Sequence, residues 1–350
     1  MSTSIREIAK LSGVSLGTVV NVLKTPDKVR PEKREKVLAV IKELNYEQPV
    51  QHIKKVTNTI GVIISNITNP LYPPIIKAIE EVLDQHGYSM ILGNTEKKLD
   101  KEIKLIQMLE ERDVDGAIIV SASETSNYNH IYSFREKGIP IILINRSTED
   151  PTINQIMIDT FRGGFNAIKH LIKLGHERIA YMSGPKDDGV HNAFARRYKG
   201  YLWALEHYGI AFDEDLVFEN DGDQYKAGGE MAEKMIESFS QEKMPTAAFI
   251  ANDAMALGAI QAWNKRGLRV PEDISVVGFN NQFFSEYADP GLTTVNFPIF
   301  RAGKMAAEYI LEEINGLRDE PLKEILPCEL VVRGTTKEIS SKRGAIHEGK

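Results

Sequence analysis

The chain opens with apolar residues at helical spacing, followed by a helix-ending glycine. Ile5 and Ile8 fall on one helix face. Ser4, three residues before Glu7, forms a capping-box pattern that starts this helix at Ile5. Gly13 ends the helix, because a residue without a side chain adopts the left-handed conformation at little cost. The pattern therefore predicts one short amphipathic helix.

A second short helix follows after a turn of a few residues. Ser15 is the expected N-cap, since its side-chain oxygen can accept a backbone N–H of the first turn. Helical spacing points Val19, Val22 and Leu23 inward. An uncharged, slim outer row remains, made of Leu16, Gly17, Thr18, Val20 and Asn21. This arrangement is typical of a helix-turn-helix module, whose second helix meets base edges in the DNA major groove.

A third helix closes this N-terminal module. Pro31 suits a first helical position, and Asn45 marks the end. The predicted apolar stripe consists of Val37, Leu38, Ile41 and Leu44. Residues 1–46 form the predicted all-α headpiece, and residues 47–58, interrupted by Pro49, form a linker.

From Thr59 onward, short apolar strands alternate with amphipathic helices. Such alternation predicts an α/β protein with doubly wound parallel sheets. The first half has strands at Ile60–Ile64, Met90–Leu92, Ala117–Val120 and Pro140–Ile144, and helices at Pro74–His86, Asp100–Glu111 and Asn127–Lys137. The second half has strands at Ile179–Met182, Ala247–Ile250 and Ser275–Gly278, and helices at Gly163–Leu174, Ala193–His207 and Asp253–Lys265. A last helix is expected at Pro298–Ile314.

Polar residues stand where these strands end, and ligands of open α/β sheets bind outside the carboxyl ends of the strands. The residues at these positions are Asn66, Asn94, Ser121, Asn145 and Arg146 in the first half, and Gly184, Asn252 and Asn280 in the second. Mostly uncharged donors and acceptors across a cleft suit a small hydroxyl-rich ligand. For each asparagine the alternative is a turn residue.

The segment IREIAKLSGVSLGTVVNVL, which begins at Ile5, resembles the DNA-binding headpiece of the lactose/galactose repressor family of bacterial transcription regulators. The segments TNTIGVIISNITNPLY, LGHERIAYMSGP, ANDAMALGA, VPEDISVVGF and DPGLTTV resemble that family's sensor core, which has the architecture of type I periplasmic binding proteins. The resemblance implies a homodimeric repressor of carbohydrate-utilisation genes. It would bind a pseudo-palindromic operator in double-stranded DNA and respond to a small carbohydrate or acidic sugar derivative.

The resemblance also implies domain boundaries. The effector-binding and dimerisation core would cover residues 59–336, with chain crossings near Asp159, Pro290 and Leu326. One subdomain would comprise residues 59–159 and 291–325, and the other residues 160–290 and 326–336. Residues 337–350, polar and without apolar periodicity, form an expected disordered tail.

The resemblance assigns the outer row of the second helix to DNA contacts. Phosphate contacts are expected from Ser15 and Thr18, and base contacts from Leu16, Gly17 and Asn21. Val20 replaces the family's usual serine, so packing against a thymine methyl is expected there. The usual hinge motif is absent from the linker, which leaves Ile53 as the candidate minor-groove wedge.

In the core, the resemblance makes Arg197 an effector clamp, Asn252 an amide donor and Tyr72 a cleft aromatic. Asn280 replaces the family's usual aspartate, and Gln224 replaces an aromatic cap. The loss of an anion near Arg197 favours an acidic or phosphorylated sugar over a neutral one, the alternative being a cleft that binds nothing. Arg146 joins the cleft from a strand end. His191, in the loop Lys186–Phe194, either reaches the cleft or is simply exposed.

Charge is distributed unevenly along the chain. Residues 1–58 carry eleven basic and six acidic side chains, so this part has a charge of +5 while the whole chain has −6 and the remainder −11. A basic head suits phosphate neutralisation, and an acidic body discourages indiscriminate binding to DNA.

Other classes of protein are not favoured. The chain contains no G-x-x-x-x-G-K-S/T loop, no G-x-G-x-x-G and no G-x-S-x-G, and its eight histidines lack metal-ligand spacing, so no catalytic residues, cofactor or metal are expected. The single Cys328 and the lack of an apolar leader or membrane-length stretch indicate the cytoplasm. The alternatives are a small helical bundle without DNA activity, and a solute sensor or transport-type sugar-binding protein. A transport protein would need an export signal and would not need Ser4–Leu23, and a sensor without DNA activity would leave the charge of +5 on residues 1–58 unexplained.

Overall fold

The structure is a computed structural model that describes residues 5–24, 26, 29–44, 46, 56–122, 128–185, 192–222, 224–318 and 320–339. Its N-terminal part consists of α1 (Ile5–Ser12), α2 (Leu16–Lys24) and α3 (Pro31–Glu43). Their buried core is made of Ile5, Ile8, Ala9, Val19, Val22, Val37 and Val40. Ser4, the predicted capping residue of α1, lies outside the described residues.

The predicted stripe of α3 is wrong at one position. Leu38 is 46% exposed, whereas Val40 is buried. Leu38 follows Val37 directly, and one residue corresponds to about 100° of rotation around a helix. Val40 and Ile41, three and four residues after Val37, therefore continue the stripe, and Leu38 lies off it.

A parallel sheet of six strands forms the first half of the core. Its strands are β1 (Thr59–Ile64), β2 (Ser89–Asn94), β3 (Gly116–Ile119), β4 (Ile141–Ile144), β5 (Asn154–Asp159) and β11 (Lys323–Pro327), in the spatial order β11-β5-β4-β3-β1-β2. The connecting helices are α4 (Tyr72–Gln85), α5 (Leu99–Glu111) and α6 (Asn129–Glu136). β1, β3 and β4 have buried apolar side chains, as parallel strands covered on both faces require.

A second six-stranded sheet forms the other half. Its strands are β6 (Ile179–Ser183), β7 (Val217–Glu219), β8 (Ala247–Ile250), β9 (Ser275–Asn280), β10 (Thr293–Asn296) and β12 (Glu329–Val331), in the order β12-β10-β9-β8-β6-β7. Only β12 runs antiparallel to its neighbour among the described strands. The helices of this half are α7 (Thr160–Lys173), α8 (Ala193–His207), α9 (Gln224–Ser238), α10 (Asp253–Lys265) and α11 (Phe284–Tyr287). The predicted doubly wound α/β fold is confirmed.

The chain passes between the two sheets at positions that the strand order defines. β5 ends at Asp159 and the next strand, β6, belongs to the second sheet. The return lies after Asn296, where β10 leads into α12 (Ile299–Ile314). This is later than the predicted crossing near Pro290, because the β-branched run in Thr293–Asn296 pairs with β9 before the chain leaves the sheet. The last passage joins β11 to β12 at Cys328.

Residues 337–339 do not belong to the expected disordered tail, and residues 340–350 lie outside the described residues. The backbone N–H of Lys337 donates to Ser275 Oγ at 3.0 Å, and that of Ile339 donates to Leu174 O at 3.0 Å. His176 Nε2 lies 3.1 Å from Lys337 O. These backbone contacts fasten residues 337–339 to the second half. Among the described residues, no helix combines the length and apolarity needed to cross a bilayer.

Candidate DNA-binding surface and ligand cleft

The turn between α1 and α2 has the geometry of a helix-turn-helix module. Gly13 has φ +67°, and the N–H of Val14 donates to Ala9 O at 3.2 Å. Ser15 Oγ accepts from the N–H of Thr18 at 3.3 Å and lies 2.9 Å from the Thr18 hydroxyl. The predicted N-cap is confirmed. These contacts hold α2 at a fixed angle to α1.

The predicted outer row of α2 divides into two groups. Gly17 and Asn21 are exposed, whereas Leu16 and Val20 are half-buried against the headpiece core. A Cβ built on Gly17 would meet nothing within 4 Å. Glycine at an exposed helical position costs roughly 0.5–1 kcal/mol relative to alanine. Because no contact among the described residues requires glycine here, its presence fits a surface that another molecule approaches closely.

Two predicted residues cannot be placed. Ile53 and His191 lie outside the described residues. Their assignments as minor-groove wedge and cleft histidine therefore stay predictions.

The candidate ligand residues of the first sheet bond within their own half. Asn66 Oδ1 accepts from the N–H and the hydroxyl of Thr68, at 3.0 and 2.8 Å, which is an Asx turn. The hydroxyl of buried Tyr72 hydrogen-bonds to Ser65 Oγ. Arg146 is buried, and its Nη1 donates to Asn145 O at 2.9 Å.

Arg197 is the centre of a buried polar cluster on the second sheet. Its side chain donates from Nη1 to Ala251 O and from Nη2 to Asn280 Oδ1, the latter at 3.3 Å. Its Cζ lies 3.8 Å from the centroid of the Phe279 ring. Burial lowers the pKa of the guanidinium to about 10, so it remains charged at neutral pH.

Close helix packing fixes the position of Arg197. A Cβ at Gly164 of α7 would lie 2.5 Å from the carbonyl oxygen of Arg197. A Cβ at Gly200 of α8 would lie 2.2 Å from Phe161 O. Only glycine allows α7 and α8 to approach so closely, and Arg197 lies at this contact.

Asn252 and Asn280 meet around the same cluster. Asn252 caps α10, since its Oδ1 accepts from the N–H of Met255 at 2.8 Å. Asn280, which binds Arg197, has φ +107°, a backbone conformation that side chains rarely adopt. Such strained residues cluster at ligand clamps. The structure therefore brings Arg197, Asn252 and Asn280 together at the carboxyl ends of β8 and β9.

A cavity of about 400 Å³ opens between the two halves next to this cluster. Its walls include Pro70 and Leu71 before α4, residues 280–283 after β9, and residues 296–301 at the passage into α12. Asn280 is the one predicted ligand residue among them. Gln224, the first residue of α9, is half-buried and does not line this cavity.

Two residues of this region were missed by the sequence analysis. Gln282 lines the cavity and is 6% exposed, and its polar position two residues after the end of β9 could have pointed to it. Asp253 is fully buried and accepts from Gln282 N at 2.7 Å and Ser285 Oγ at 2.8 Å, and also from Thr294. Burial raises the pKa of Asp253 to about 6. This carboxyl fastens the loop that carries Gln282.

Comparison with known proteins gives the family. Models described as "Bacterial regulatory proteins, lacI family" and "Periplasmic binding protein-like domain" match residues 4–48 and 168–336. The chain is 34% identical over 345 residues to the HTH-type transcriptional regulator DegA of Bacillus subtilis (strain 168), with 97% of this chain and 100% of DegA covered.

Solved structures agree with this result. A complex of the transcriptional regulator CelR with cellobiose has a TM-score of 0.69 and 29% identity, over 95% of this chain and 99% of CelR. The lac repressor dimer bound to operator and the anti-inducer ONPF has a TM-score of 0.69 and 27% identity, over 96% and 100% of the two chains. With an exposed recognition helix, a two-sheet core and near-complete coverage of its relatives, the chain belongs to the lacI family of bacterial regulatory proteins and is a DNA-binding regulator of transcription.

Proposed function

We propose that this regulator is a homodimeric repressor of carbohydrate-utilisation genes, and that a small sugar-like effector bound between the two halves of its core controls its affinity for the operator. The headpiece, the linker and the two-part core would act as separate units of this mechanism. As a DNA-bound regulator it would work in the cytoplasm, where the chromosome lies.

The observation that carries the DNA-binding part is the exposed pair Gly17 and Asn21 on the capped helix α2. An asparagine can bond bidentately to adenine, which is worth about 1–3 kcal/mol of discrimination. Gly17 leaves room for the approach of a base. Ser15 and Thr18 at the start of α2 would contact phosphates, and Leu16 and Val20, partly held by the headpiece core, would supply apolar contacts to bases.

Two copies are needed because one headpiece reads only half of a pseudo-palindromic site. Dimers of this kind place their recognition helices about 34 Å apart. An apolar surface groove on the second half suits the contact between copies, and its lining includes Tyr225, Leu257, Phe284 and Tyr287. Tyr287 is 81% exposed in the single chain. The lac repressor in the operator complex is likewise a dimer.

The effector would bind in the cavity beside the buried cluster of Arg197, Asn252 and Asn280. The cavity has walls from both halves, so a ligand inside it favours one angle between them. That angle sets the spacing of the two headpieces. A coupling free energy of about 1–3 kcal/mol between effector and operator would be typical.

Selection of bound duplexes from a random pool tests the proposal. The full-length protein, with and without candidate sugars, should enrich an inverted repeat, and affinity should fall steeply with salt as phosphate contacts are screened. Enrichment of no inverted repeat at low ionic strength, across all candidate sugars, would contradict the proposal and favour a sensor without DNA activity.

The variant Asn21→Ala separates base recognition from general DNA affinity. It should lose about 10- to 100-fold of the preference for the selected operator over random DNA, because one bidentate base contact is removed. Binding to random DNA should change little. Gel shifts on both duplexes measure this, and uniform weakening on both would count against base recognition by Asn21.

A further inference from the structure

Arg197 is a buried cation whose direct partners are all neutral. It is 4% exposed. Its hydrogen bonds go to a backbone carbonyl and to the amide oxygen of Asn280, and its flat face lies on the Phe279 ring. A buried charge is costly unless a counter-charge compensates it. The nearest acceptors supply dipoles and π electrons but no negative charge.

The carboxylate of Asp253 lies near Arg197, but it accepts its hydrogen bonds from other residues. Asp253 accepts from the N–H of Gln282 and from the hydroxyls of Ser285 and Thr294. These donors lie on the loop after β9, on α11 and on β10. Asp253 therefore stabilises the wall of the cavity, and it makes no hydrogen bond to the guanidinium of Arg197.

The same cluster has donors left over. Within the described part of the chain, Arg197 Nε and Asn252 Nδ2 have no hydrogen-bond partner, and neither has the amide of Gln282. All three residues are more than nine-tenths buried. Buried polar atoms in native proteins are nearly always bonded, so each exception needs a partner from outside the described residues. The unused N–H groups require acceptor oxygens.

We propose that the effector of this site carries an acidic group, a carboxylate or a phosphate, which pairs with Arg197 in the place where an aspartate at position 280 would otherwise supply the negative charge. This inference rests on the proposed function and names the class of its effector. Anionic oxygens supply both the counter-charge and the acceptors that Arg197 Nε and Asn252 Nδ2 lack. The amide of Gln282 can donate to and accept from hydroxyls on the rest of the ligand.

Matched ligands and one charge-restoring variant test this inference. Melting of the full-length protein should be measured with glucose, glucuronate and glucose 6-phosphate, with galactose, galacturonate and galactose 6-phosphate, and with inorganic phosphate against chloride at equal ionic strength. The variants are Asn280→Asp, which places a carboxylate beside Arg197, and Asn58→Asp as the control. Asn58 also has a positive φ, +49°, and is exposed before β1.

The wild-type melting temperature should rise with at least one uronate or sugar phosphate and not with the corresponding neutral sugar. In Asn280→Asp, titration calorimetry should show that acid weakened by at least about 10-fold, because two like charges then share the site. Asn58→Asp should bind it as the wild type does. The uronate and phosphate arms distinguish a carboxylate ligand from a phosphate ligand.

Stabilisation by neutral members only, or by no member at all, would overturn the inference. So would an acid whose affinity is unchanged in Asn280→Asp. None of these measurements involves DNA. A protein that binds an acid without any change in operator affinity would contradict the proposed regulation and leave this inference intact. A neutral sugar that releases the operator would support the proposed regulation and contradict this inference.

Discussion

The two sheets of the core both carry polar residues at their carboxyl ends, but these residues differ in how their hydrogen bonds are satisfied. At the first sheet, Asn66 and Asn94 bond to backbone of the loop between β1 and α4. At the second sheet, Arg197 Nε, Asn252 Nδ2 and the amide of Gln282 have no partner within the described residues. At the carboxyl edge of the first sheet, called the first edge, these asparagines have partners in that loop. At the corresponding edge of the second sheet, called the second edge, donors remain without acceptors among the described residues.

This difference shows why a polar residue after a strand is weak evidence for a ligand site. Local turns use asparagine for the same chemical reasons that ligands do, since its short amide can bond to nearby backbone. Accounting for each buried donor separates the two uses. On that basis Asn66 and Asn94 are turn residues, and the donors of the second half support the proposed effector site there.

The largest expected effect concerns Asp253, whose carboxyl group stabilises the loop at the carboxyl end of β9 in the second sheet. Asp253 titrates near pH 4 in an unfolded chain and at about 6 in the fold because it is buried. The folded state therefore holds an extra proton between these values. This proton stabilises the folded state below about pH 4, and the stabilisation is lost as the pH rises through 6. The shift in pKa corresponds to a loss of about 3 kcal/mol in the free energy of unfolding.

Asp253→Asn should remove that pH dependence. Urea unfolding of the wild type and the variant at pH 4.5 and pH 7 would show the wild type losing more free energy of unfolding than the variant as the pH rises. Asp273→Asn is the control. Exposed Arg269 bonds to Asp273 and holds the pKa of that carboxyl at about 2, so its contribution is lost only as the pH falls below about 4. Equal pH slopes for the wild type and Asp253→Asn would contradict this account.

A smaller effect, on effector affinity, is expected when the arginine at each edge is replaced by lysine. Arg197→Lys should weaken the effector by about 10- to 100-fold, since a lysine cannot reproduce the planar set of donors. Arg146→Lys, at the first edge, should change affinity by less than about threefold, because the Nη1 of Arg146 donates to its own neighbour, Asn145. Calorimetry with the same effector compares the two variants. Equal losses would show that both edges hold the ligand.

The headpiece was predictable from the sequence because its signals are local. α1 and α2 begin where the spacing and the Ser15 cap place them, and Gly13 has the positive φ that its position after a helix predicted. Most of the longer helices and buried strands of the core were likewise found from their periodicity, but α9, which has 15 residues, was not predicted. Leu38 was misplaced because its neighbour Val37 made the stripe ambiguous by one residue.

Features that depend on distant pairing were not predictable in this way. β5, β10 and β11 are short strands whose existence depends on their neighbours, and Ile325 of β11 is 66% exposed. The roles of Asn66 and Asn280 could not be separated either. Both are asparagines near a strand end. Asn66 bonds to a residue two positions later, whereas Asn280 bonds to Arg197 on α8. Such a contact follows from the packing of α8 against the sheet and leaves no local pattern.

The smallest expected effect tests whether the first edge contributes a side chain to the ligand at all. Tyr72 was predicted as a cleft aromatic, but its hydroxyl is hydrogen-bonded to Ser65 inside the first half. Tyr72→Phe should therefore cost about 1 kcal/mol of unfolding free energy, the net value of one neutral hydrogen bond. Ser65→Ala should cost a similar amount, and the double variant little more, because both changes remove the same bond. Effector affinity should stay within about twofold in all three proteins, since the Tyr72 hydroxyl bonds to Ser65 inside the first half. If Tyr72→Phe weakened the effector tenfold while Ser65→Ala did not, the hydroxyl would have to leave Ser65 for the ligand, and the first edge would then be an active part of the site.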